Sequence, residues 1–136
     1  MKHAPNIAGA LLGLAFAFFG MAYFLNLIPT PPDPSPPDAP HKLFFGALFP
    51  TGYFAFVKVL EILGGILTAV PKTRNIGLLI LGPIIVNILC FHIFLMKGAT
   101  LMDPALIGIS ALALYLLWSG RRAFAGLINR RSLQEA

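Results

Sequence analysis

Two pairs of polar residues lie inside apolar stretches and are the candidates for chemistry. Lys58 and Glu61 are three residues apart in FVKVLEILGG, and Asn87 and His92 occur together in NILCFH. Residues three apart share one face of a helix, so Lys58 and Glu61 can form an ion pair. A charge at mid-membrane costs on the order of 2.5–3.5 kcal/mol, so such residues face the interior of a helix bundle. A buried acid–base pair could bind a ligand's polar group, handle protons or join helices.

Helical spacing predicts how these residues are oriented. A stripe of polar and small residues on one face is predicted to point inward; it consists of Phe54, Lys58, Glu61, Gly65 and Thr68. Counting from the helix ends puts Glu61 and Asn87 at the same depth, about 12 Å, which predicts that they lie close enough to hydrogen-bond. His92 is roughly 140° around the helix from Asn87, so it is not expected to point at Glu61 as well.

The polar residues allow two interpretations. Lys58, Glu61 and Asn87 could be structural contacts between helices, which are common in membrane bundles, or they could bind a ligand or handle protons. His92 alone is typical of an interfacial residue, and no spacing of histidines and carboxylates indicates a metal site. Cys90 is the one cysteine of the chain, which excludes an intramolecular disulfide and a CxxC pair. No catalytic residue is therefore predicted.

Composition indicates an all-α integral membrane protein. Of the 136 residues, 57% are hydrophobic and 11% are charged, whereas a soluble domain has about 25% charged residues. The net charge of +5 does not indicate nucleic-acid binding, because the basic residues cluster at the ends of apolar runs.

The apolar runs predict a four-transmembrane-helix bundle in a single domain. The predicted spans cover residues 7–28, 53–70, 76–95 and 104–120. The first run is too long for a signal peptide and is expected to be retained; its Gly9 and Gly13 would let a neighbouring helix approach closely.

The segments between and after these spans are also predicted. A proline-rich loop at 29–41 is predicted to be extended and external. Pro50 and Gly52 interrupt the next run, which predicts a short interfacial helix at 42–49. Residues 121–136 are expected to form a cytoplasmic tail.

The basic residues predict the orientation. Seven lie on one side of the predicted membrane: Lys2, Lys72, Arg74, Arg121, Arg122, Arg130 and Arg131. Only Lys42 and Lys97 lie on the other side. Basic residues are enriched in cytoplasmic loops, so both termini are expected in the cytoplasm, and the membrane is expected to be the bacterial inner membrane.

Two segments resemble a known family. TGYFAFVKVLEILGGILTAV and PIIVNILCFHIFL, with an E-x-x-G-G pattern at Glu61, Gly64 and Gly65 and an N-x-x-x-x-H pattern at Asn87 and His92, are similar to the DoxX-like family of small bacterial four-helix membrane proteins. The resemblance implies a four-helix bundle and an association with respiratory or sulfur-compound oxidoreductases or with thiol and oxidative-stress systems. With Cys90 as the lone cysteine, no thiol relay carries over.

Two functions are therefore expected. The first is a non-catalytic accessory or anchoring subunit of a membrane oxidoreductase or another membrane complex, with a membrane protein or a second copy as partner and no cofactor of its own. The alternative is a site for a quinone or another amphipathic small molecule, with polar contacts from Lys58, Glu61 and Asn87. The aromatic side chains of the first two spans would then form its walls.

Overall fold

The computed structural model describes residues 2–128, and all regular structure within that range is helical. Six α-helices follow one another: α1 Ala4–Phe24, α2 Pro40–Leu48, α3 Tyr53–Ala69, α4 Arg74–Cys90, α5 Pro104–Ser119 and α6 Arg121–Ile128. A π-helical turn, Phe91–Leu95, continues α4. The predicted all-α class is confirmed.

Local sequence signals account for several of the helix ends. Asp103 caps α5 by accepting a hydrogen bond from the backbone N–H of Ala105 at 2.8 Å, and Pro104 occupies the first helical position. Gly52 separates α2 from α3 with a φ of 77°, a conformation that glycine adopts without steric cost. The predicted break after the short second helix is therefore confirmed, and that helix begins two residues earlier than predicted.

The first helix ends earlier than its predicted limit at residue 28. Asn26 has a φ of 52°, and the amides of Asn26 and Leu27 donate to the carbonyls of Tyr23 and Ala22. This is a Schellman motif, in which a left-handed residue closes the helix. The predicted end was too late because apolar residues continue through Leu27 and Ile28, whereas the backbone geometry ends the helix at Phe24.

Close packing of α1 against α3 organises the bundle. Gly13 of α1 lies directly against Gly65 of α3, and a Cβ on either glycine would overlap backbone atoms of the other helix. The predicted close approach at Gly13 is confirmed, whereas Gly9 lies against the guanidinium of Arg74 instead. The fourth helix packs against α3, and α5 packs against α1 and α4. Together they enclose an apolar core that includes Leu12, Phe16, Leu78, Leu81 and Leu116.

Among residues 2–128, two helices are long and apolar enough to cross a membrane: α1, with 21 residues, and Arg74–Leu95, with 22. The count rises to four if each of two bent helix pairs is one span: α2 with α3, bent by 82°, and α5 with α6, bent by 67°. Much of the outward surface is apolar; Leu14, Phe18 and Leu114, for example, are each more than 60% exposed. Large exposed apolar areas of this kind indicate a lipid environment.

The predicted tail at 121–136 is partly helical. Arg121–Ile128 forms α6, and its Phe124 packs against the core. Arg121 and Arg122 indicated where the fourth span ends. The chain nevertheless forms a further helix after Gly120, because Phe124 can pack against the core. Residues 129–136, including the basic residues Arg130 and Arg131, lie outside the described range.

Three chain segments meet at one end of the bundle. Arg74, at the start of α4, reaches the start of α1 by donating to the Asn6 side chain at 3.1 Å, and it also donates to the Thr68 carbonyl of α3 at 3.3 Å. Gly120, at the α5–α6 junction, lies beside the Asn75 side chain. Several basic residues were predicted to share one side of the membrane. Those within the described range belong to segments that converge in the fold: 2–6, 72–74 and 121–122.

The proline-rich loop between α1 and α2 is held to α2 by an acidic residue. Asp33 accepts hydrogen bonds from the Ser35 N–H at 2.9 Å and from His41 Nε2 at 2.8 Å. Lys42 Nζ donates to the Asp33 carbonyl at 3.1 Å and to the Ser35 carbonyl. Hydrogen bonds from the side chain and backbone of Ser35, then from His41, lower the pKa of Asp33 from its ordinary value of 3.8.

Asp33→Asn is expected to release the loop from α2. The pKa of Asp33 is lower in the folded protein than in the unfolded chain, so the ionised carboxylate holds the loop fully above pH 3.8. This contribution is lost as the pH falls through the pKa of the folded protein. We expect faster proteolysis of residues 25–39 in Asp33→Asn than in the wild type at neutral pH. In the wild type, the Ser35 amide should lose its protection from hydrogen exchange only at strongly acidic pH. The matched control, Asp38→Asn in the same loop, should cleave at the wild-type rate; equal cleavage of both variants would contradict the prediction.

Candidate functional site

The third helix positions the candidate ion pair. Lys58 Nζ donates to Glu61 Oε2 at 2.9 Å, and the two side chains are 15% and 6% exposed. The helical spacing of three residues places both groups on one face, as expected from the sequence. Gly65 and Thr68, farther along that face, are buried as well. The inward orientation of the stripe is therefore confirmed for these residues.

The pair borders a cavity of about 530 Å³ between α2, α3, α4 and the π-helical turn. Its polar lining consists of Lys58, Glu61, Asn87 and His92, together with Tyr53. The rest of the wall is aromatic or aliphatic: Phe44, Phe45, Leu48, Phe54, Val57, Ile84, Ile88 and Phe91. A largely apolar cavity of this volume with a few convergent polar groups has the character of a small-molecule site.

Asn87 and Glu61 line the same cavity, as their matched depth predicts, but they are not bonded to each other. Within residues 2–128 the carboxylate has Lys58 as its side-chain hydrogen-bond partner, and Asn87 is exposed. The predicted Glu61–Asn87 hydrogen bond is therefore absent. An ammonium three residues away on the same helix is the nearer and stronger donor, so the amide of Asn87 stays free to contact a ligand.

His92, the fourth candidate residue of the polar cluster, also lines the cavity, although its angle from Asn87 predicted that it would not point at Glu61. Ile84 and Ile88 precede His92 by eight and four residues on the same helix face and also line the cavity, so regular helical spacing places His92 there despite the angle of roughly 140° from Asn87. His92 Nδ1 is hydrogen-bonded to Thr100 Oγ1 in the turn that follows, so its ring is anchored at one nitrogen. All four candidate residues thus border one space.

A second cavity of about 760 Å³ lies on the other side of Lys58. It is formed by the end of α1 and the first residues of the proline-rich loop, with Tyr23, Asn26 and Thr30 among its lining residues. Phe45, Phe54 and Lys58 belong to both cavities. The ammonium also lies 5.0 Å from the centroid of the Phe54 ring, a cation–π distance. Lys58 is therefore accessible from the loop side and from the bundle side.

The aromatic walls differ from the expected ones. Phe45 of α2 is central, with ring centroids 5.6 Å from Phe54 and 5.1 Å from Phe91. The first span contributes aromatic residues only to the second cavity, through Tyr23 and Phe24. The interfacial position predicted for α2 did not indicate that this helix forms a wall of the cavity. The pair of phenylalanines at 44 and 45 was the available signal, but only the bend between α2 and α3 brings it over the cavity.

The site combines charged hydrogen-bonding groups with aromatic faces. The Lys58 ammonium has three N–H groups and donates one to Glu61. The pair is neutral overall, so the cavity offers donors and acceptors without a net charge. Such a site fits a flat, uncharged head group with carbonyl or hydroxyl oxygens better than it fits an ion.

Comparison with curated proteins finds similarity to the uncharacterized protein YwoB of Bacillus subtilis (strain 168). The two are 33% identical over 94 residues, which is 66% of this chain and 55% of the relative. The chain thus spans about half the length of that protein. No protein-family model matches the chain, and no solved structure matches it. The functional proposal therefore rests on the geometry of the cavity.

Proposed function

We propose that this protein is a four-span integral membrane protein that binds an amphipathic small molecule of the quinone class in the cavity beside Lys58 and Glu61. The observation that carries the proposal is that this ion pair borders a cavity of about 530 Å³ whose walls are largely apolar, both aromatic and aliphatic. A pair that served only to join helices would be expected to lie between packed side chains. Here the charged groups border open space, where a ligand can contact them.

The four-span arrangement requires the two shorter helices to cross the bilayer with little tilt. The third helix has 17 residues and the fifth has 16, which corresponds to about 24–26 Å at 1.5 Å per residue and fits a bilayer core thinner than the usual value of roughly 30 Å. The bends of 82° and 67° would let α2 and α6 lie along opposite membrane surfaces. The convergence of basic segments at one end supports a cytoplasmic location for that end, in a bacterial inner membrane.

The resemblance to DoxX-like proteins supports a second, compatible proposal. A protein of that class could serve as a non-catalytic accessory or anchoring subunit of a membrane oxidoreductase, holding a quinone near its partner. Purification in mild detergent tests each proposal: a stable protein partner supports the subunit proposal, and an extractable isoprenoid quinone supports the binding site.

Loss of the ion pair is expected to weaken quinone binding. We expect Lys58→Met/Glu61→Met to lower the affinity for decylubiquinone about 10–100-fold, since a hydrogen bond to a charged group contributes about 1.5–3 kcal/mol. Equilibrium binding of the radiolabelled probe in nanodiscs measures the effect. Lys97→Met makes the same change at an exposed lysine outside the cavity and should bind like the wild type. Equal affinity in the double variant and the wild type would refute the site.

Reporter fusions test the proposed topology. Fusions after residue 74 and at the C-terminus should both report a cytoplasmic location. A fusion within the proline-rich loop at 29–41 should report a location on the opposite side of the membrane. A C-terminal fusion that reports the external side would mean that the number of spans is odd.

A further inference from the structure

A third, smaller cavity of about 150 Å³ continues the candidate site toward the outer surface of the protein. Phe44, Asn87 and Phe91 line both spaces, so the two are adjacent and share a wall. Cys90 and Phe94 belong only to the smaller one, which we call the outer groove. Phe94 is 73% exposed, so the groove reaches the surface.

Polarity falls along the line from the cavity to the outer groove. Lys58 and Glu61 border the inner cavity but not the groove. Asn87 is the junction between the two, and the remaining groove residues are apolar or weakly polar. A molecule with a polar head and an apolar chain has the same gradient.

The surface around the groove is apolar. Val86 and Ile93 of the same helical segment are 59% and 47% exposed. In the proposed four-span arrangement this surface faces lipid acyl chains. The wall on the other side is α2, which has no fully buried residue and contributes Phe44. The groove therefore opens sideways, toward the bilayer.

We propose that the outer groove binds the hydrocarbon chain of a membrane amphiphile whose head group occupies the cavity at Lys58 and Glu61, and that this molecule reaches the site laterally from the bilayer. The proposal rests on the proposed function for the head-group site. It adds a chain-binding subsite, and it predicts that affinity depends on the chain as well as on the head.

Cys90 provides a reporter for chain binding, because the sequence has no other cysteine. In nanodiscs, saturating decylubiquinone is expected to slow the reaction of Cys90 with N-ethylmaleimide severalfold. Duroquinone, a fully substituted quinone without a chain, is expected to compete for the head-group cavity and leave the labelling rate unchanged. Binding of both quinones with no protection of Cys90 by decylubiquinone would overturn the chain subsite and leave the head-group site standing. Binding of neither would overturn both.

A variant that fills the groove tests the same subsite without labelling. Cys90→Trp is expected to reduce decylubiquinone affinity to that of duroquinone, while duroquinone binding stays at the wild-type level. Leu79→Trp is the matched control, because it adds the same ring to a half-exposed position of α4 that borders none of the three cavities and lies three helical turns from Cys90. A Cys90→Trp protein that keeps the preference for the long-chain quinone would overturn the proposal.

Discussion

Replacing Gly13 with alanine is expected to destabilise the protein by about 3 kcal/mol or more, at or above the upper end of ordinary overpacking. The added Cβ would overlap the carbonyl oxygen of Gly65 and the backbone nitrogen of Ala69. Neither atom can rotate away as a side chain would, so α1 and α3 must separate. Gly65→Ala should have a similar effect, because its Cβ would overlap the Gly13 carbonyl and the Ala17 nitrogen.

Reversible unfolding in mixed micelles measures these changes. Gly82→Ala and Gly108→Ala are matched controls in α4 and α5, since no heavy atom lies within 4 Å of a Cβ built at either position. Alanine is the better helix former by about 0.8–1 kcal/mol, so the controls should be as stable as the wild type or slightly more stable. Equal stability of Gly13→Ala and Gly82→Ala would contradict the close packing of α1 on α3.

Removing either member of the Lys58–Glu61 pair is expected to be more harmful than removing both. The side chains are 15% and 6% exposed, and a single replacement leaves the remaining group buried without its partner, at a cost of about 3–5 kcal/mol. Replacing both with residues of similar volume removes the unpaired charge and is often neutral or stabilising. We therefore expect Lys58→Met and Glu61→Met to be strongly destabilised, and Lys58→Met/Glu61→Met to lie close to the wild type.

The four proteins form a double-mutant cycle, and their free energies of unfolding give the coupling between the two side chains. A coupling near zero would show that the contact at 2.9 Å contributes nothing to stability. The same proteins address function: a double variant that is as stable as the wild type but binds decylubiquinone about 10–100-fold more weakly separates ligand binding from folding. A stable double variant that still binds would leave the pair without a role in the site.

The sequence by itself determined the helical class and several of its boundaries. Periodicity and apolar length predicted the helices, Asp103 and Pro104 predicted the start of α5, and Pro50 and Gly52 predicted the break before α3. It also predicted the Lys58–Glu61 pair. These features depend on contacts within a few residues, so the local sequence contains the information.

The tertiary structure decided what surrounds that pair. The Schellman motif at Asn26 ends α1 although the chain remains apolar, and the packing of α3 on α4 and of α2 on the π-helical turn places Asn87 and His92 beside one cavity. The bend between α2 and α3 places Phe45 against Phe54 and Phe91. Hydropathy records how apolar a residue is but not the direction in which its helix runs. A cavity enclosed by three helices therefore becomes visible only once their packing is known.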